Sequence, residues 1–580
     1  MKVVVRLGVA GLLAVALIPA PSRASTVTGP SVTVVGSAVK VRPTDQVGGT
    51  GGANVTAARN EYESFQVVVS AGTGPVTALR VSLASPLSGT GGTIPAGNVT
   101  IYREAYYDVT TVSDSEGALG RWPDALIPTV DPYFHETRNA FPIDVPAGEN
   151  RVAWVDVLVP QAQAAGAYDG SLAVTATGFS ATVPVHLTVI DFGIPSTASL
   201  ASAFGMDWDT PCQAFYGESC ITHEADGWRT KAMFVQAALD DRITIGYPEY
   251  QPITPPQERA YFEQYILPML NGTAPTTLPG AELTSIQVDN GTWLPGWRDE
   301  ANAQGFADRA FVYACDEPNT SAGAWRSCIK QANLALSTWP QVSILITTTI
   351  DNADRFGATS LIDTMVPIVN EVHDKPGTGS GYSGNQRPNY DGFLTDPRNR
   401  LWMYTSCETE GCAGDPSTDP YWVGWPGYPI DEPASEARAM GWLSFLYRTA
   451  GELYYATDYK LSTAWTDQFA FGGNGDGTLF YPGTPAMVGG TDPIPIESMR
   501  LKLIRDGYED YEYLKYLGDH GLRAQALAVV KGLFPKMYRT AATDAQVQAA
   551  RLQLADLVAS VAGEATARSE PPAADPRRTA

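Results

Sequence analysis

Basic side chains are scarce in this sequence. The 580 residues include 39 Lys and Arg against 62 Asp and Glu, which gives a formal net charge of -23 at neutral pH. A long polyanion would be repelled over most of the surface of such a protein. Nucleic acid is therefore not expected as a partner.

Histidine and long apolar runs are also scarce. Only five His occur, and neither His135-Glu136 nor His223-Glu224 is followed by a second His at the i+4 spacing of a zinc site. We therefore predict no metal and no cofactor. Beyond the N-terminus, no segment contains the roughly 20 consecutive apolar residues that span a bilayer. An integral membrane segment is not expected once the N-terminal peptide described next is removed.

The N-terminus has the pattern of a secretory signal peptide. Lys2 and Arg6 precede an apolar run, Leu7–Ala20, and a small-residue cleavage site follows this run. The alternative is a membrane anchor, which needs about 20 apolar residues, whereas two prolines end this run earlier. The sequence predicts that residues 1–24 are removed and that the protein is secreted to the extracellular space.

Six cysteines in an exported chain indicate disulfide bonds. Their spacing favours three local pairs, although the pattern alone leaves other connectivities open. The pairs could fix loops at one face of the fold, or they could stabilise a secreted protein generally. The predicted pairs are Cys212 with Cys220, Cys315 with Cys328, and Cys407 with Cys412.

The first large segment, residues 25–196, reads as an all-β sandwich. The whole chain contains 55 Gly and 43 Pro, which is typical of proteins with many turns. In this segment, Gly, Pro, Ser and Asn separate short runs that favour β-strands. Examples are VTVVG, ESFQVVVSA, ALRVSLAS, VTIYREAYYDV, RVAWVDVLVP and ATVPVHLTVIDF.

After residue 196 the pattern changes to apolar runs that alternate with helical stretches. Eight such runs predict a (β/α)8 TIM barrel over residues 197–518, and an open doubly wound sheet is the alternative. A helix from about Asp519 to Ala562 accounts for a C-terminal helical segment, residues 519–563, and residues 564–580 read as a disordered tail. The eight runs are ASAFGMDWD, RITIGYPEY, LTSIQVDNG, AFVYACDEP, VSILITTTI, MVPIVNEVHD, RLWMYTSCE and ELYYATDY.

Polar residues follow most of the eight runs, where a TIM barrel builds its active site. Glu371 is one of these strand-end carboxylates. Carboxylates combined with aromatic rings are typical of a carbohydrate site, since rings stack on sugars and carboxylates bind hydroxyls. A Gly-rich stretch, Gly472–Gly477, could form a tight loop over the barrel mouth. The candidate sugar contacts are Asp207, Trp208, His373, Tyr404, Trp465, Asn474, Asp476 and Tyr481.

The adjacent carboxylates Asp316 and Glu317 are the most specific indication of catalysis in the sequence. Two adjacent carboxylates repel one another, which favours one protonated and one charged group, as glycoside cleavage requires. Consecutive strand side chains point to opposite faces, so the pair is awkward for a direct nucleophile with a general acid. It suits a mechanism in which a 2-acetamido group of the substrate is the nucleophile. Alternatively, the pair and Pro318 could simply cap the following helix.

Three strings resemble glycoside hydrolase family 123, the β-N-acetylgalactosaminidases and their relatives. They are FVYACDEP, GNGDGTLFYPG and, most specifically, PIESMRLKLIRDGYEDYEYLKYL. The resemblance covers roughly residues 197–520. It implies a retaining, substrate-assisted glycosidase acting on β-linked N-acetylgalactosamine in a glycan or glycoconjugate. It further implies that Asp316 stabilises the acetamido nucleophile and that Glu317 is the general acid and then the base.

Two alternatives stay open at this stage. The same fold could act on a different sugar, or the chain could be a non-catalytic carbohydrate-binding surface protein. The segment RDGYEDYEYL is dense in charge, but it reads as a structural helix with pairs such as Arg505 with Glu509. We therefore leave it out of the predicted site.

Overall fold

The computed structural model describes residues 29–220, 224–247, 256–407, 412 and 421–569. The predicted signal peptide, residues 1–24, lies outside the described residues, as do residues 570–580 of the predicted tail. None of the helices in the described part of the chain has the length and apolar character needed to cross a bilayer.

Two sheets make up the N-terminal part of the molecule. One has the strand order β1-β3-β9-β6-β7, and the other has the order β2-β11-β10-β4-β5 with β8 on β4. Neighbouring strands are antiparallel except for β2 and β11. The strands are β1 (Ser31–Gly36), β2 (Ala53–Arg59), β3 (Tyr62–Ser70), β4 (Val76–Gly89), β5 (Gly92–Thr93), β6 (Val99–Val109), β7 (Gly120–Pro128), β8 (Ile143–Val145), β9 (Asn150–Leu158), β10 (Gly166–Ala176) and β11 (Phe179–Gly193).

The two sheets share one buried apolar cluster. Along β11, Val183, Val185 and Leu187 are buried while the residues between them are exposed. This alternation follows from the two-residue period of a strand, which places every second side chain on the inner face. These residues belong to the same cluster as Val67 and Val155 of the other sheet.

Over the described residues, shorter strands and thirteen α-helices follow. The strands are β12 (Ala201–Gly205), β13 (Ile245–Tyr247), β14 (Ile286–Gln287), β15 (Ala310–Cys315), β16 (Ser343–Ile346), β17 (Thr364–Met365), β18 (His373–Asp374), β19 (Gly384–Asn385), β20 (Arg400–Tyr404), β21 (Gly451–Tyr454), β22 (Phe469–Ala470), β23 (Gly473–Asn474), β24 (Phe480–Gly483) and β25 (Ile494–Glu497). The helices are α1 (Thr210–Tyr216), α2 (Glu224–Asp240), α3 (Pro256–Tyr265), α4 (Leu267–Leu270), α5 (Leu294–Gln304), α6 (Ala322–Thr338), α7 (Ile350–Arg355), α8 (Val369–Val372), α9 (Ala434–Tyr447), α10 (Pro485–Val488), α11 (Met499–Asp519), α12 (Arg523–Leu533) and α13 (Asp544–Ser569).

Eight of these strands form a nearly closed parallel barrel. Their order is β13-β12-β21-β20-β17-β16-β15-β14, so strands that follow one another in the barrel sequence are neighbours in space. Within the described residues, no hydrogen-bonded ladder joins β13 to β14. Each of the eight predicted runs overlaps one barrel strand, and β17 and β21 each begin one residue before the run. The barrel prediction is therefore confirmed, and the open doubly wound alternative is wrong.

The C-terminal helical prediction needs a correction. The sequence suggested one helix from about Asp519 to Ala562, whereas the structure has α12 and α13 with a break between them. Pro535 lies in this break. Proline has no N–H to donate to the helical hydrogen-bond pattern, and it disfavours the helical conformation of the residue before it. Gly521, at φ 83°, separates α11 from α12. Helix α13 continues to Ser569, beyond the predicted start of the tail.

Helix α11 joins the barrel to the N-terminal sheets through buried charges. The Arg500 guanidinium donates two hydrogen bonds to the Asp124 carboxylate of β7, at 2.9 and 2.7 Å. Arg505 pairs with Asp156 of β9 at 2.9 Å. All four side chains are essentially inaccessible to solvent. The charges of this helix therefore hold two parts of the molecule together.

The predicted ion pair between Arg505 and Glu509 within α11 is wrong. Glu509 instead accepts a hydrogen bond from Arg242, which follows α2, at 3.0 Å. The buried part of the helix makes this ion pair with an element that covers it, whereas the exposed pair of Lys515 with Asp519 lies along the helix. The predicted structural role of the segment holds, but through contacts between distant parts of the chain.

The six cysteines form the three predicted disulfides. Cys315, the last residue of β15, is joined to Cys328 of α6. Cys407 lies three residues beyond β20, and Cys212 lies in α1, the helix that follows β12. All three bonds thus tie segments that follow the carboxyl ends of barrel strands. Their positions favour the interpretation that they fix loops at one face.

Candidate active site

The Asp316 carboxylate is held at the end of β15 by two hydroxyl groups. Tyr313 donates to Asp316 Oδ1 at 2.6 Å, and Thr347, which follows β16, donates to the same oxygen at 3.1 Å. The two hydroxyls are themselves 2.9 Å apart. The carboxylate is otherwise exposed to solvent. Asp316 is therefore oriented at the barrel mouth with room for a ligand.

Glu317 turns in a different direction because its backbone leaves the strand. Its φ is 36°, in the left-handed region that non-glycine residues rarely adopt. The backbone N–H of Glu317 donates to the Thr347 hydroxyl at 2.8 Å, which anchors the turn. The side chain accepts a hydrogen bond from the hydroxyl of Tyr404, the last residue of β20. The turn thus holds both carboxylates of the pair at the mouth, where they have different partners.

A small polar cavity of about 200 Å³ opens beside Glu317. This volume is below the range of about 300–1,000 Å³ that encloses drug-sized ligands. One of its lining residues is the last residue of β20, and the others follow the carboxyl ends of β15, β16 and β17. TIM barrels place their catalytic groups at these positions. They are Glu317, Asn319, Thr347, Thr348, Ile368, Asn370, Glu371 and Tyr404.

Glu371 contributes a third carboxyl group to this cavity. Burial, together with the nearby negative charge of Glu317, raises its pKa from 4.5 to about 7. It is therefore protonated below neutral pH, and it can donate a hydrogen bond there. The strand-end pattern singled out Glu371 in the sequence, but nothing local marked it as buried next to Glu317.

A capping role does not explain the carboxylate pair. Helix α6 begins at Ala322, and its N-cap is Ser321, whose hydroxyl accepts a hydrogen bond from the Ala324 N–H at 3.2 Å. Asp316 and Glu317 thus precede the helix and cap none of its N–H groups. The capping alternative is wrong.

A larger cavity of about 540 Å³ lies between β1, β2, β3 and α13, far from the barrel strand ends in the fold. Its carboxylates already have partners in the protein. Asp510 binds Arg438 and Arg551, and Asp544 accepts a hydrogen bond from the Ala38 N–H. We therefore place the candidate active site at the smaller cavity, which Glu317 and Glu371 line at the carboxyl ends of the barrel strands.

Comparisons with known proteins agree with the fold described above. Residues 40–176 match the model of the glycoside hydrolase 123 N-terminal domain. A solved family 123 glycoside hydrolase from Clostridium perfringens, described for glycolipid glycan hydrolysis, superposes with a TM-score of 0.65 at 13% identity. The match covers 93% of this chain and 100% of that one. The family model covers the N-terminal part of the chain, and the superposition shows that the chain has the fold of this family 123 enzyme. The resemblance found in the sequence is confirmed.

Two other solved structures superpose on this chain with lower TM-scores. A family 39 glycoside hydrolase from Bacteroides cellulosilyticus WH2 gives a TM-score of 0.30 at 10% identity, covering 80% of this chain and 81% of that one. The apo β-glucuronidase 3 of Bacteroides uniformis gives 0.26 at 10% identity, covering 79% and 50%. Neither likeness is close enough to carry an argument. No curated protein matches the sequence significantly.

The structure brings only part of the predicted site together. Tyr404 lines the cavity, and Asp316 lies next to it. Asp207 is at the end of β12, where its carboxylate accepts hydrogen bonds from the backbone N–H groups of Asp209 and Thr210. Trp208 is partly buried, and the Lys231 ammonium lies 3.6 Å from the centre of its ring.

Two further predicted contacts pack against other elements. The His373 imidazole Nδ1 lies 2.6 Å from the Tyr447 hydroxyl, and burial together with Lys536 lowers its pKa. The Trp465 indole N–H donates to the Pro482 carbonyl at 2.9 Å. Neither side chain lines the 200 Å³ cavity.

The remaining three predicted contacts are buried. The Asn474 amide donates to Asp431 at 3.0 Å, and the Tyr481 hydroxyl donates to Asp124 at 2.6 Å. Asp476 accepts a hydrogen bond from the Tyr454 hydroxyl at 2.8 Å, and burial raises its pKa to about 6. Over the described ranges, no three His, Cys, Asp or Glu side chains converge in the manner of a metal site.

Proposed function

We propose that the protein is a retaining, substrate-assisted exo-glycosidase that releases terminal β-linked N-acetylhexosamine, with N-acetylgalactosamine as the preferred sugar. The comparisons support a glycoside hydrolase as the class of enzyme. The observation that carries the finer proposal is the different environment of the two consecutive carboxylates. Asp316 is fixed by two hydroxyls and open to solvent, whereas Glu317 lies in the cavity with Tyr404.

The proposed reaction begins with the substrate's own acetamido group. The carbonyl oxygen of this group attacks the anomeric carbon, while Asp316 accepts a hydrogen bond from the acetamido N–H and stabilises the positive charge that develops. The bond to the leaving oxygen breaks as Glu317 gives that oxygen its proton. Glu317 then removes a proton from water, and this water attacks the anomeric carbon of the oxazolinium intermediate, which breaks the bond to the acetamido oxygen and restores the acetamido group. Two inversions leave the product with the original configuration.

Glu371 has a binding role in this scheme. Burial is the main cause of its raised pKa, which keeps it neutral below about pH 7, so it places no charge of its own next to Glu317. In the neutral form it can donate a hydrogen bond to a sugar hydroxyl. Asn370 and Thr348 line the same wall and supply further polar atoms. The small volume of the cavity suits one terminal sugar better than the interior of a long chain.

We also propose that the protein works outside the cell. The predicted signal peptide is the basis for this, and the three disulfides support it because such bonds persist in oxidising compartments.

The test compares Glu317→Gln with the unsubstituted protein on two kinds of N-acetylgalactosaminide. An aryl glycoside with a good leaving group needs little protonation, whereas a natural glycan needs it fully, so we expect about a 10²- to 10⁴-fold loss on the glycan and a much smaller loss on the aryl glycoside. Glu263→Gln, on the exposed side of α3, is the matched control and should be unchanged. Equal losses on both substrates would contradict the acid role of Glu317.

A second substitution tests the acetamido step. Asp316→Asn should lower activity on both substrates and should weaken inhibition by a thiazoline analogue of the intermediate, because the stabilising charge is lost. Strong thiazoline inhibition of the Asn variant would contradict the role of Asp316. A protein that binds glycans without hydrolysing any of them would point to the carbohydrate-binding alternative.

A further inference from the structure

Three exposed aromatic side chains lie together in the described part of the chain. They are Tyr455, Tyr459 and Phe471, with 37%, 50% and 41% of their surface exposed. The Tyr459 and Phe471 ring centres are 5.1 Å apart, and Tyr455 lies 6.2 Å from Tyr459 and 5.8 Å from Phe471. We call these three residues the aromatic cluster. Such a grouping of exposed rings marks an interaction surface.

The aromatic cluster lies at the rim of the barrel mouth. Tyr455 directly follows β21, whose residue Leu453 is paired with Tyr404 on the neighbouring strand β20. Tyr404 is the residue whose hydroxyl binds Glu317. The cluster is therefore continuous with the side of the candidate site that holds the proposed general acid, and the general acid acts on the leaving group.

Phe471 has a backbone conformation that is unfavourable for phenylalanine. The strands β22 and β23 form a hairpin whose two turn residues, Phe471 and Gly472, both have positive φ, at 50° and 99°. Such turns favour Asn, Asp or Gly at these positions, so a phenylalanine there is unfavourable for the local backbone. A strained residue with an exposed apolar ring is typical of a functional position.

Nearby glycines leave room for the cluster. A side chain at Gly477 would come within 2.4 Å of the Tyr455 hydroxyl, and one at Gly205 would lie 2.1 Å from the Tyr455 carbonyl. The Tyr459 N–H donates to the Gly477 carbonyl at 2.8 Å. The glycines therefore fix where Tyr455 and Tyr459 lie.

We propose that the aromatic cluster binds the second sugar of the substrate glycan, the one on the leaving-group side of the cleaved bond. This inference rests on the proposed function and names what the site requires beyond the terminal sugar. A pyranose ring has an apolar C–H face that stacks on aromatic rings, while its hydroxyls can bind the Tyr459 hydroxyl. A membrane surface is the less favoured occupant, because a chain with a net charge of -23 is repelled by anionic lipids.

Phe471→Asn is the most informative substitution. Asparagine tolerates the left-handed backbone, so the hairpin should fold at least as well while the ring is lost. We expect about a tenfold lower kcat/KM on a disaccharide that ends in β-linked N-acetylgalactosamine, and no change on the methyl glycoside of the same sugar. Phe471→Trp should keep the disaccharide activity. Leu334→Asn, an equally exposed apolar residue on α6, is the control.

Binding measurements separate this inference from the proposed function. Calorimetric titration of the Glu317→Gln protein with the disaccharide, with and without Phe471→Asn, should show about tenfold weaker binding in the double variant. If the double variant binds the disaccharide more weakly but the unsubstituted protein hydrolyses nothing, the proposed reaction is overturned, while sugar binding by the aromatic cluster is supported. Equal losses on both substrates, unchanged disaccharide binding, or no disaccharide binding at all would overturn the inference. So would binding to vesicles containing phosphatidylserine that depends on Phe471.

Discussion

Replacing Glu371 by Gln should stabilise the protein at alkaline pH while lowering its activity. The pKa of Glu371 is raised from 4.5 to about 7 by burial and by Glu317. A raised pKa means that ionisation costs free energy in the folded protein only. The contribution of the neutral carboxyl to stability is complete below about pH 4.5 and is lost as the pH rises through about 7.

The size of the effect follows from the two pKa values. At 1.36 kcal/mol per pH unit, a rise from 4.5 to about 7 corresponds to about 3 kcal/mol of stability lost above neutrality. Glutamine has nearly the shape of the neutral acid and cannot ionise, so Glu371→Gln should recover about 3 kcal/mol at about pH 8.5 and almost nothing at about pH 4.5. This combination of lower stability and a functional group is the usual compromise of an active site.

The assay is calorimetric melting of the unsubstituted protein, Glu371→Gln and the exposed control Glu263→Gln at about pH 4.5 and about pH 8.5. We expect a higher Tm for Glu371→Gln at the alkaline pH only, with no shift in the control at either pH. Activity on the glycan should fall at the same time. A stability difference that is the same at both pH values, or a variant that is fully active, would refute the reasoning.

Three other outcomes are expected. Tyr404→Phe removes the hydrogen bond that orients Glu317, worth about 0.5–1.5 kcal/mol, so kcat/KM should fall about twofold to tenfold without loss of the fold by circular dichroism. Asp124→Asn leaves the buried Arg500 charge unpaired and should destabilise the protein by about 3–5 kcal/mol in urea titrations, whereas Asp191→Asn at an exposed pair should cost less than about 1 kcal/mol. The thiazoline analogue should inhibit at least about a hundredfold more tightly than the product sugar binds, as expected for an analogue of a high-energy state.

The barrel could be predicted because its signal is local. Each strand is a short apolar run that ends in polar residues, and eight such runs separated by helical stretches define the topology. Asp316, Glu317 and Tyr404 were found for the same reason, since all three lie at or just beyond a strand end. The role of Glu371 depends on its burial next to Glu317, which no local pattern reveals.

Contacts between distant segments could not be predicted. Asn474 and Tyr481 belong to a Gly-rich region that the sequence suggested as a cover for the barrel mouth. In the structure, their side chains contact Ser113 and Asp124 of the N-terminal part. The buried arginines of helix α11 behave in the same way, because Arg500 and Arg505 pair with carboxylates of the N-terminal sheets. A local pattern identifies such residues as polar and ordered but does not identify their partners.

The most direct measurement is hydrolysis of 4-nitrophenyl N-acetyl-β-galactosaminide beside the corresponding N-acetylglucosaminide, galactoside and α-arabinofuranoside. The protein lacking residues 1–24 should release nitrophenol fastest from the N-acetylgalactosaminide, and Asp316→Asn should strongly lower this release because it removes the group that stabilises the acetamido nucleophile. Hydrolysis of the galactoside at an equal rate, with no effect of Asp316→Asn, would contradict the substrate-assisted mechanism and the assignment of the sugar.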